Sequence, residues 1–360
     1  MRQEVYQEFF EVMIKRGGGY SGADIPEFFE LAQELFTPEQ AVVNNALPGN
    51  PMTAEQIAET LGRDKVEVEN ILESMANSGL CRTGKQNNTV YYRASPFTGI
   101  MESQFMPGTT TQRDKKIARL IESYEKAYDA VRPPAAQKMT FAGLRVITVD
   151  RTVDAGNTVH TYDQVQTFID KNDTIAVTEC YCRHKALLLG RDIHGMPNSV
   201  CMSFGEGAEH NIARLNGRRV TREEARLIID QAEEAGLVHM SRNMTDNIDF
   251  MCNCDRWHCT VVTSMLAQPK PGLFFNSGFE PSFDPDECTA CETCLDRCPA
   301  SALTMGGENV PVVDLDRCFG CAVCATGCPS EAITMVSKPE FPEPPANREA
   351  LREALQASDN

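Results

Sequence analysis

Several common features are missing from this 360-residue chain. No apolar run approaches the ~20 residues that a membrane-spanning helix needs. The opening MRQEVYQEFF lacks the basic-then-apolar build of a secretory signal, so a cytoplasmic protein is expected. Positive charge is scarce: 34 Lys and Arg stand against 51 Asp and Glu, a formal net charge of −17. Phosphate backbones call for a basic surface, so nucleic acid is disfavoured as a partner. A partner protein with a basic docking face is the natural complement. The glycine-rich segment Arg16-Gly17-Gly18-Gly19-Tyr20-Ser21-Gly22 has no Gly-Lys-Ser/Thr ending and reads as a turn rather than a phosphate loop. No Rossmann fingerprint and no Ser–His–Asp order occurs, so no nicotinamide or flavin site is expected.

What the chain does have is cysteine, 15 in all. In a reducing compartment that number points to metal ligation rather than cross-links. Eight fall in one repeat. Cys288, Cys291, Cys294 and Cys298 are followed by Pro299, and Cys318, Cys321, Cys324 and Cys328 by Pro329. Each position in the first half has a counterpart thirty residues later, out to Met305 and Met335. Cys-x-x-Cys-x-x-Cys is about the shortest run that aims three sulfurs at one centre, and the backbone N–H groups of such a loop can point at the charge they enclose. Zinc is the competing reading, because Cys-x-x-Cys pairs also bind zinc. Two identical runs ending in Cys-Pro weigh against it.

Residues 286–336 resemble the dicluster bacterial-type ferredoxins. The resemblance implies two 4Fe–4S clusters, with the fourth cysteine of each run ligating the other cluster. One cluster would then take Cys288, Cys291, Cys294 and Cys328, and the other Cys318, Cys321, Cys324 and Cys298. The halves would be cross-tied through iron, and the apo chain should not hold this fold. Oxygen-sensitive clusters fit an anaerobic setting.

The length suggests two or three domains. Residues 1–50 read as short helices with apolar stripes at Val5, Phe9, Val12 and Met13, and at Phe28, Leu31, Ala32 and Leu35. Thr53 with Gln56 forms a capping-box pattern before a helix that Gly62 ends. A second helix starts at Asp64 and closes at Gly79, and strands at 80–83 and 89–93 flank a turn at 84–88. This order resembles a winged helix. Its second helix carries Glu67, Glu69 and Glu73, which phosphates would repel, so a scaffold or docking role is favoured over DNA reading. Residues 95–108 read as a linker with buried anchors. A helix over 114–131 is stopped by Arg132-Pro133-Pro134, where a domain boundary is placed.

Strands at 144–149, 174–178, 237–240 and 248–251 alternate with helices at 162–170, 204–215, 222–235 and 261–266. This pattern predicts a mixed α/β middle domain. The four phenylalanines of 271–283 should pack the ferredoxin-like module onto it. The last stretch reads as a proline-rich strap and a short helix. The expected fold is α+β and multidomain: a helical, winged-helix-like domain over 1–134, a cysteine-rich mixed α/β domain over 135–270, a dicluster ferredoxin domain over 271–338 and a tail over 339–360.

The middle domain has its own six cysteines: Cys180, Cys182, Cys201, Cys252, Cys254 and Cys259. Two Cys-x-Cys pairs sit where short strands end, so neighbouring strands would bring four thiols together. Three readings compete: a further iron–sulfur cluster, most simply one more 4Fe–4S; a structural zinc with Cys and His ligands; and buried free thiols. The first is favoured because electrons reaching the repeat need somewhere to go. His184 and His258 are close enough in sequence to join as ligands. His160, His194, His210 and His239 are isolated and read as structural. Arg183 and Arg256 flank the cysteine pairs, where they would hold cluster charge or pair with an acid.

The order ECYCRH, CMSFGEGA, GRRVTREEARLIIDQAEEAGLVH, CNC…C and then a dicluster module resembles 4Fe–4S-binding proteins of strict anaerobes. In those relatives more cysteine follows the CNC, whereas here Asp255, Arg256, Trp257 and His258 intervene. The resemblance implies an electron-transfer component with a redox partner protein, as a subunit of a larger complex or as a homo-oligomer. The rival functions are an oxidoreductase with the middle cluster as catalytic site and a redox-sensing DNA-binding regulator.

Overall fold

A computed structural model describes residues 2–131, 141–155, 164–339 and 341–358. The Arg132-Pro133-Pro134 stop with its domain boundary, the expected helix start at Tyr162, and His160 lie outside the described residues.

The chain begins with α1 (Arg2–Arg16), α2 (Pro26–Leu35), α3 (Pro38–Ala46), α4 (Ala54–Leu61) and α5 (Lys65–Asn77). The hairpin β1 (Arg82–Gln86) and β2 (Thr89–Arg93) follows, then α6 (Phe97–Ser103) and α7 (Gln112–Val131). The middle of the chain runs β3 (Leu144–Val146), α8 (Val165–Lys171), β4 (Ile175–Thr178), α9 (Tyr181–Leu188), β5 (Cys201–Phe204), α10 (Gly205–Arg214), β6 (Arg218–Val220), α11 (Arg222–Glu234), β7 (Val238–Arg242), β8 (Phe250–Cys254) and α12 (Thr260–Leu266). The last part holds β9 (Phe279–Phe283), α13 (Thr293–Arg297), β10 (Leu303–Met305), β11 (Pro311–Val313), α14 (Val323–Thr326), β12 (Ile333–Ser337) and α15 (Arg348–Ser358). Two compact units result. One takes Met1–Ala136, Thr178–Ile193 and Glu206–Arg218; the other takes Gln137–Val177, His194–Gly205 and Arg219–Asn360.

The first unit is built on aromatic packing. Phe9, Phe28, Phe97 and Tyr124 have no exposed surface, and Phe36 nearly none. Phe28 meets Phe97 at 5.0 Å between ring centroids, Phe9 meets Phe36 at 4.8 Å, and Phe97 meets Tyr124 at 5.6 Å. These tilted and edge-on contacts suit the ring quadrupoles. Arg16 ends α1 with a structural task. Its guanidinium donates to the carbonyls of Asn44, Leu47 and Ser95 and so satisfies the orphan C-terminal end of α3. Burial lowers its pKa to about 10.

Both N-termini of the α4–α5 pair are capped by side chains. Thr53 and Gln56 form the reciprocal box, and Asp64 accepts from Glu67 N–H at 3.0 Å. The hairpin differs from the expected 84–88 turn. Gln86 pairs with Thr89, leaving a two-residue turn at Asn87 and Asn88 with φ of 46° and 66°. Asparagine tolerates that left-handed pair, which matches the twist of the strands. Gly84 lies within β1, and a Cβ there would run into the Glu206 carboxylate. α9 and α10 belong to the same unit. Lys185 donates to Glu125 at 2.7 Å, Arg214 holds Glu73 at 2.7 Å, and His210 Nδ1 accepts from Thr83 N–H at 3.1 Å.

The second unit carries a six-stranded sheet in the order β3-β7-β8-β5-β4-β6. β3 with β7, β7 with β8 and β8 with β5 are antiparallel. Phe168, Ile169, Ile228, Ile229 and Met251 belong to its core, with α11 packed on α8. α11 starts at the Thr221–Glu224 capping box. The stretch expected to be helical from residue 204 opens as strand β5, and Gly205, at φ +54°, switches it into α10. The tail docks on its own unit: Thr245 N–H donates to Pro345 O at 2.9 Å, and Arg348 pairs with Asp249 at 2.9 Å. The cysteine repeat adds two small antiparallel pairs, β9 with β12 and β10 with β11. The chain is thus mixed α/β with a distinct cysteine-bearing C-terminal region. No helix among the described residues is long and apolar enough to cross a membrane.

Candidate metal centres

The thirty-residue repeat extends to the backbone. Cys288 N–H donates to Asp284 O at 3.1 Å, and Cys318 N–H to Asp314 O at 2.9 Å. Ala290, Glu292 and Ser301 are left-handed, and so are their counterparts Gly320, Ala322 and Glu331. Alternating left- and right-handed residues turn successive N–H groups to one side, a concavity suited to negative charge. Gly320 N–H points at Cys318 Sγ, 3.4 Å away, and Ala302 N–H at Cys298 Sγ, 3.3 Å away. Gly320 is required twice over, because a Cβ would also meet Phe279 O and Ser277 Oγ.

Each half folds around a cavity. The first, about 320 Å³ including its open mouth, is lined by Cys288, Cys291, Cys294 and Cys328, with Phe283, Pro311 and Ile333 as apolar walls. The second, about 340 Å³, is lined by Cys298, Cys318, Cys321 and Cys324, with Leu303, Phe319 and Met335. Each cavity therefore draws three cysteines from one half and one from the other. Among the described residues no three His, Cys, Asp or Glu side chains gather to hold a metal ion. The cysteines of the repeat surround a space instead.

The two cavities differ at Cys291, whereas burial pushes the Cys294 thiol of the first cavity up, as it does the thiols of the second. Cys291 is exposed, and hydrogen bonds from Thr293 and Thr289 hold its thiol below the usual range. In the second cavity burial pushes Cys318, Cys321 and Cys324 up, and the neighbouring thiolates add to the rise. Four thiolates in so dry a space repel one another when alone and become favourable around a cationic core. Four thiols, apolar walls and inward N–H groups fit an iron–sulfur cube.

Arg297 breaks the repeat. Its counterpart is Gly327, and a Cβ there would collide with the Arg297 guanidinium. That guanidinium donates to Val323 O and to Glu233 O and Glu234 O at the end of α11, tying the repeat to the sheet. Sequence reasoning missed Arg297; the Arg-for-Gly mismatch inside the repeat was the available signal.

The middle cysteines divide between the units. Cys180 and Cys182 follow β4 and lie in the first, whereas Cys201, Cys252, Cys254 and Cys259 lie in the second. Cys254 hydrogen-bonds with Cys252 and Cys259; these bonds, then burial, push its thiol well above the usual range. Met202 pairs with Met251 across β5 and β8, a register that sets Cys201 opposite Cys252 when carried one residue on.

The histidines among the described residues are engaged. His184 Nε2 contacts Thr109 O at 2.8 Å. His258 Nδ1 lies 3.2 Å from Asp255 Oδ1, which also accepts from Trp257 and His258 N–H. Buried His239 sits between Asn253 Oδ1 at 2.6 Å and Glu233 Oε1 at 3.3 Å. His194 packs at a tilt against exposed Trp257 with centroids 4.8 Å apart.

No curated protein matches the chain. Residues 287–332 match the family described as 4Fe-4S dicluster domain. The C-terminal region is therefore a ferredoxin-like domain for two 4Fe–4S clusters, and such domains serve iron–sulfur electron transfer.

Proposed function

We propose that this chain is an electron-transfer protein, or the electron-transfer subunit of a larger redox assembly, working in the cytoplasm of an anaerobic cell. Cys288, Cys291, Cys294 and Cys328 hold one cluster, and Cys318, Cys321, Cys324 and Cys298 hold the other. The observation that supports this most is the exchange of the fourth cysteine between the two cavity linings. When bound, the clusters supply one-electron chemistry. The chain's residues supply thiolates, inward N–H groups and apolar walls that limit water.

Exposed Cys291 marks the side at which a partner comes closest to a cluster. Asp284, Asp286, Glu287 and Glu292 are exposed on the same loop and Asp296 on the helix α13 that follows it, which favours a partner with a basic face. A further 4Fe–4S centre uses the middle cysteines, with Cys254 and its hydrogen-bond partners Cys252 and Cys259 at its heart and Cys180, Cys182 and Cys201 as the remaining candidates. Zinc is the alternative there. The α4–α5 pair with its hairpin forms a winged-helix-like scaffold. Its acidic second helix commits Glu73 to Arg214 and Tyr92, which suits docking rather than DNA reading.

Iron and sulfide analysis of chain purified without air tests this reading. About eight irons are expected from the repeat and about four more from the middle centre. A Cys254→Ala variant should lose one spectroscopic signal and keep the dicluster pair. Eight irons with one zinc would remove the middle cluster; an iron-free, folded chain would sink the proposal.

A further inference from the structure

Arg256 lies between Cys254 and Cys259, yet its guanidinium reaches the repeat. Nη1 donates to Cys298 O at 3.1 Å and Nη2 to Ser301 Oγ at 3.0 Å. Cys298 is the residue whose thiol crosses to line the second cavity. A second guanidinium reaches the same turn, as Arg317 Nε donates to Ala300 O at 3.0 Å.

The other half is built differently: the Arg297 guanidinium packs against Gly327, just before Cys328, but its hydrogen bonds go elsewhere. There Glu331 replaces Ser301, and Ser330 replaces Ala300. Cys328 Sγ lies 3.7 Å from Ser330 Oγ. Among the described residues no guanidinium hydrogen-bonds the 328–331 turn. Two halves with the same ligand spacing are therefore unlike in charge. One cysteine turn carries two permanent cations; the other carries a carboxylate.

We propose that Arg256 is a positioning residue for the second metal centre alone. Its fork clamps the Cys298 turn to the 252–259 cysteine loop and places positive charge beside one cluster and not the other. The inference rests on the cluster ligation set out above. Reduction makes a cluster more negative, so a fixed guanidinium on its ligand turn stabilises the reduced form and raises the potential. Arginine suits the task because it stays charged and its fork engages two acceptors at once. The clamp also ties the loop that follows β8 to the second cavity's ligand turn.

Redox titration with dithionite, followed by electron paramagnetic resonance on full-length chain purified without air, tests the assignment. In R256Q one midpoint should fall by about 59 mV, a tenfold change in the reduced-to-oxidised ratio for a one-electron couple. The other should stay. The shifted signal should be the one lost in Cys321→Ser. R256K should fall between wild type and R256Q, and S301A should shift the same midpoint less. Two midpoints that stay put, or that move together, at full iron content would overturn the proposal. If R256Q loses iron, R256K and S301A carry the same test, and an unmoved midpoint in both overturns it. Fewer than about eight irons in the wild-type chain would instead overturn the ligation reading.

Discussion

The first unit and the cysteine repeat are held together by different means. The first unit buries one continuous cluster that includes Phe9, Phe28, Phe36, Phe97, Phe105, Ile117, Ile121 and Tyr124. The repeat buries smaller groups: Val149, Phe279, Ala322 and Met335 form one cluster, Phe275 packs on Phe319, and Leu303, Phe319, Ile333 and Met335 line the cavities. A large buried side chain contributes roughly 1.5–3 kcal/mol, and much of the repeat's apolar surface faces the two cavities rather than other side chains, so it does little to offset the ordering of two loops and four short strands. One region stands on burial. The other needs the bonds that iron makes between its halves.

Removing iron should therefore have the largest effect and should act on one side of this contrast. Chelation without air is expected to abolish hydrogen-exchange protection across 284–337 while α1–α7 keep theirs. Protection surviving in the repeat would mean that its small core suffices. Phe28→Ala probes the other side. It removes a ring with no exposed surface, packed against Phe9, Phe10, Phe29, Phe97 and Tyr124. A loss of about 3–5 kcal/mol in the first unit is expected, with the iron–sulfur absorption unchanged. Loss of that absorption would show that the two regions stand or fall together.

How much of this was legible in the sequence follows the same division. The repeat was readable because its constraint is local: thiol spacing, the following proline and the thirty-residue period all lie within one stretch. Capping boxes at Thr53 and Thr221 were readable for that reason too. The long-range pairings were not. Lys185 with Glu125, Arg214 with Glu73 and His210 with Thr83 join residues 60 to 141 positions apart. They place 178–193 and 206–218 in the first unit, and no periodicity announces them. The tail's docking through Arg348 was hidden likewise, as was Arg256, whose acceptors lie more than forty residues on. The hairpin turn failed locally: Gly84 drew the turn toward itself, although its missing side chain serves Glu206.

Acid should separate the regions by a smaller margin. Burial, helped by the Arg82, Arg214 and Arg93 guanidiniums, lowers the His210 pKa from 6.5 to about 3. Between those values the unfolded chain binds a proton that the folded chain does not. First-unit stability should therefore fall as pH drops below about 6.5, by about 1.4 kcal/mol per unit. A protonated Nδ1 would also lose its bond from Thr83 N–H. Denaturation midpoints at pH 7.5 and 5.5 should differ more in wild type than in His210→Gln. Equal slopes would show that His210 is not the acid-sensitive group.

The smallest effect concerns two identical devices placed in the two units. Thr53 accepts from Gln56 N–H at 3.3 Å and Thr221 from Glu224 N–H at 3.2 Å, and each N3 side chain returns the bond to its cap. Replacing either threonine by alanine leaves one orphan donor, the N3 N–H, to water and should cost about 1 kcal/mol. The chemistry is the same, so the location of the loss is what informs. Thr53→Ala should lower protection in α4 and α5 whether or not iron is bound. Thr221 caps α11, whose far end is held by Arg297 from the repeat. In Thr221→Ala the helix should loosen further once iron is removed, because the guanidinium that holds its last turn loses its own anchor. Identical responses to iron in the two variants would mean that Arg297 does not transmit the order of the repeat into the sheet.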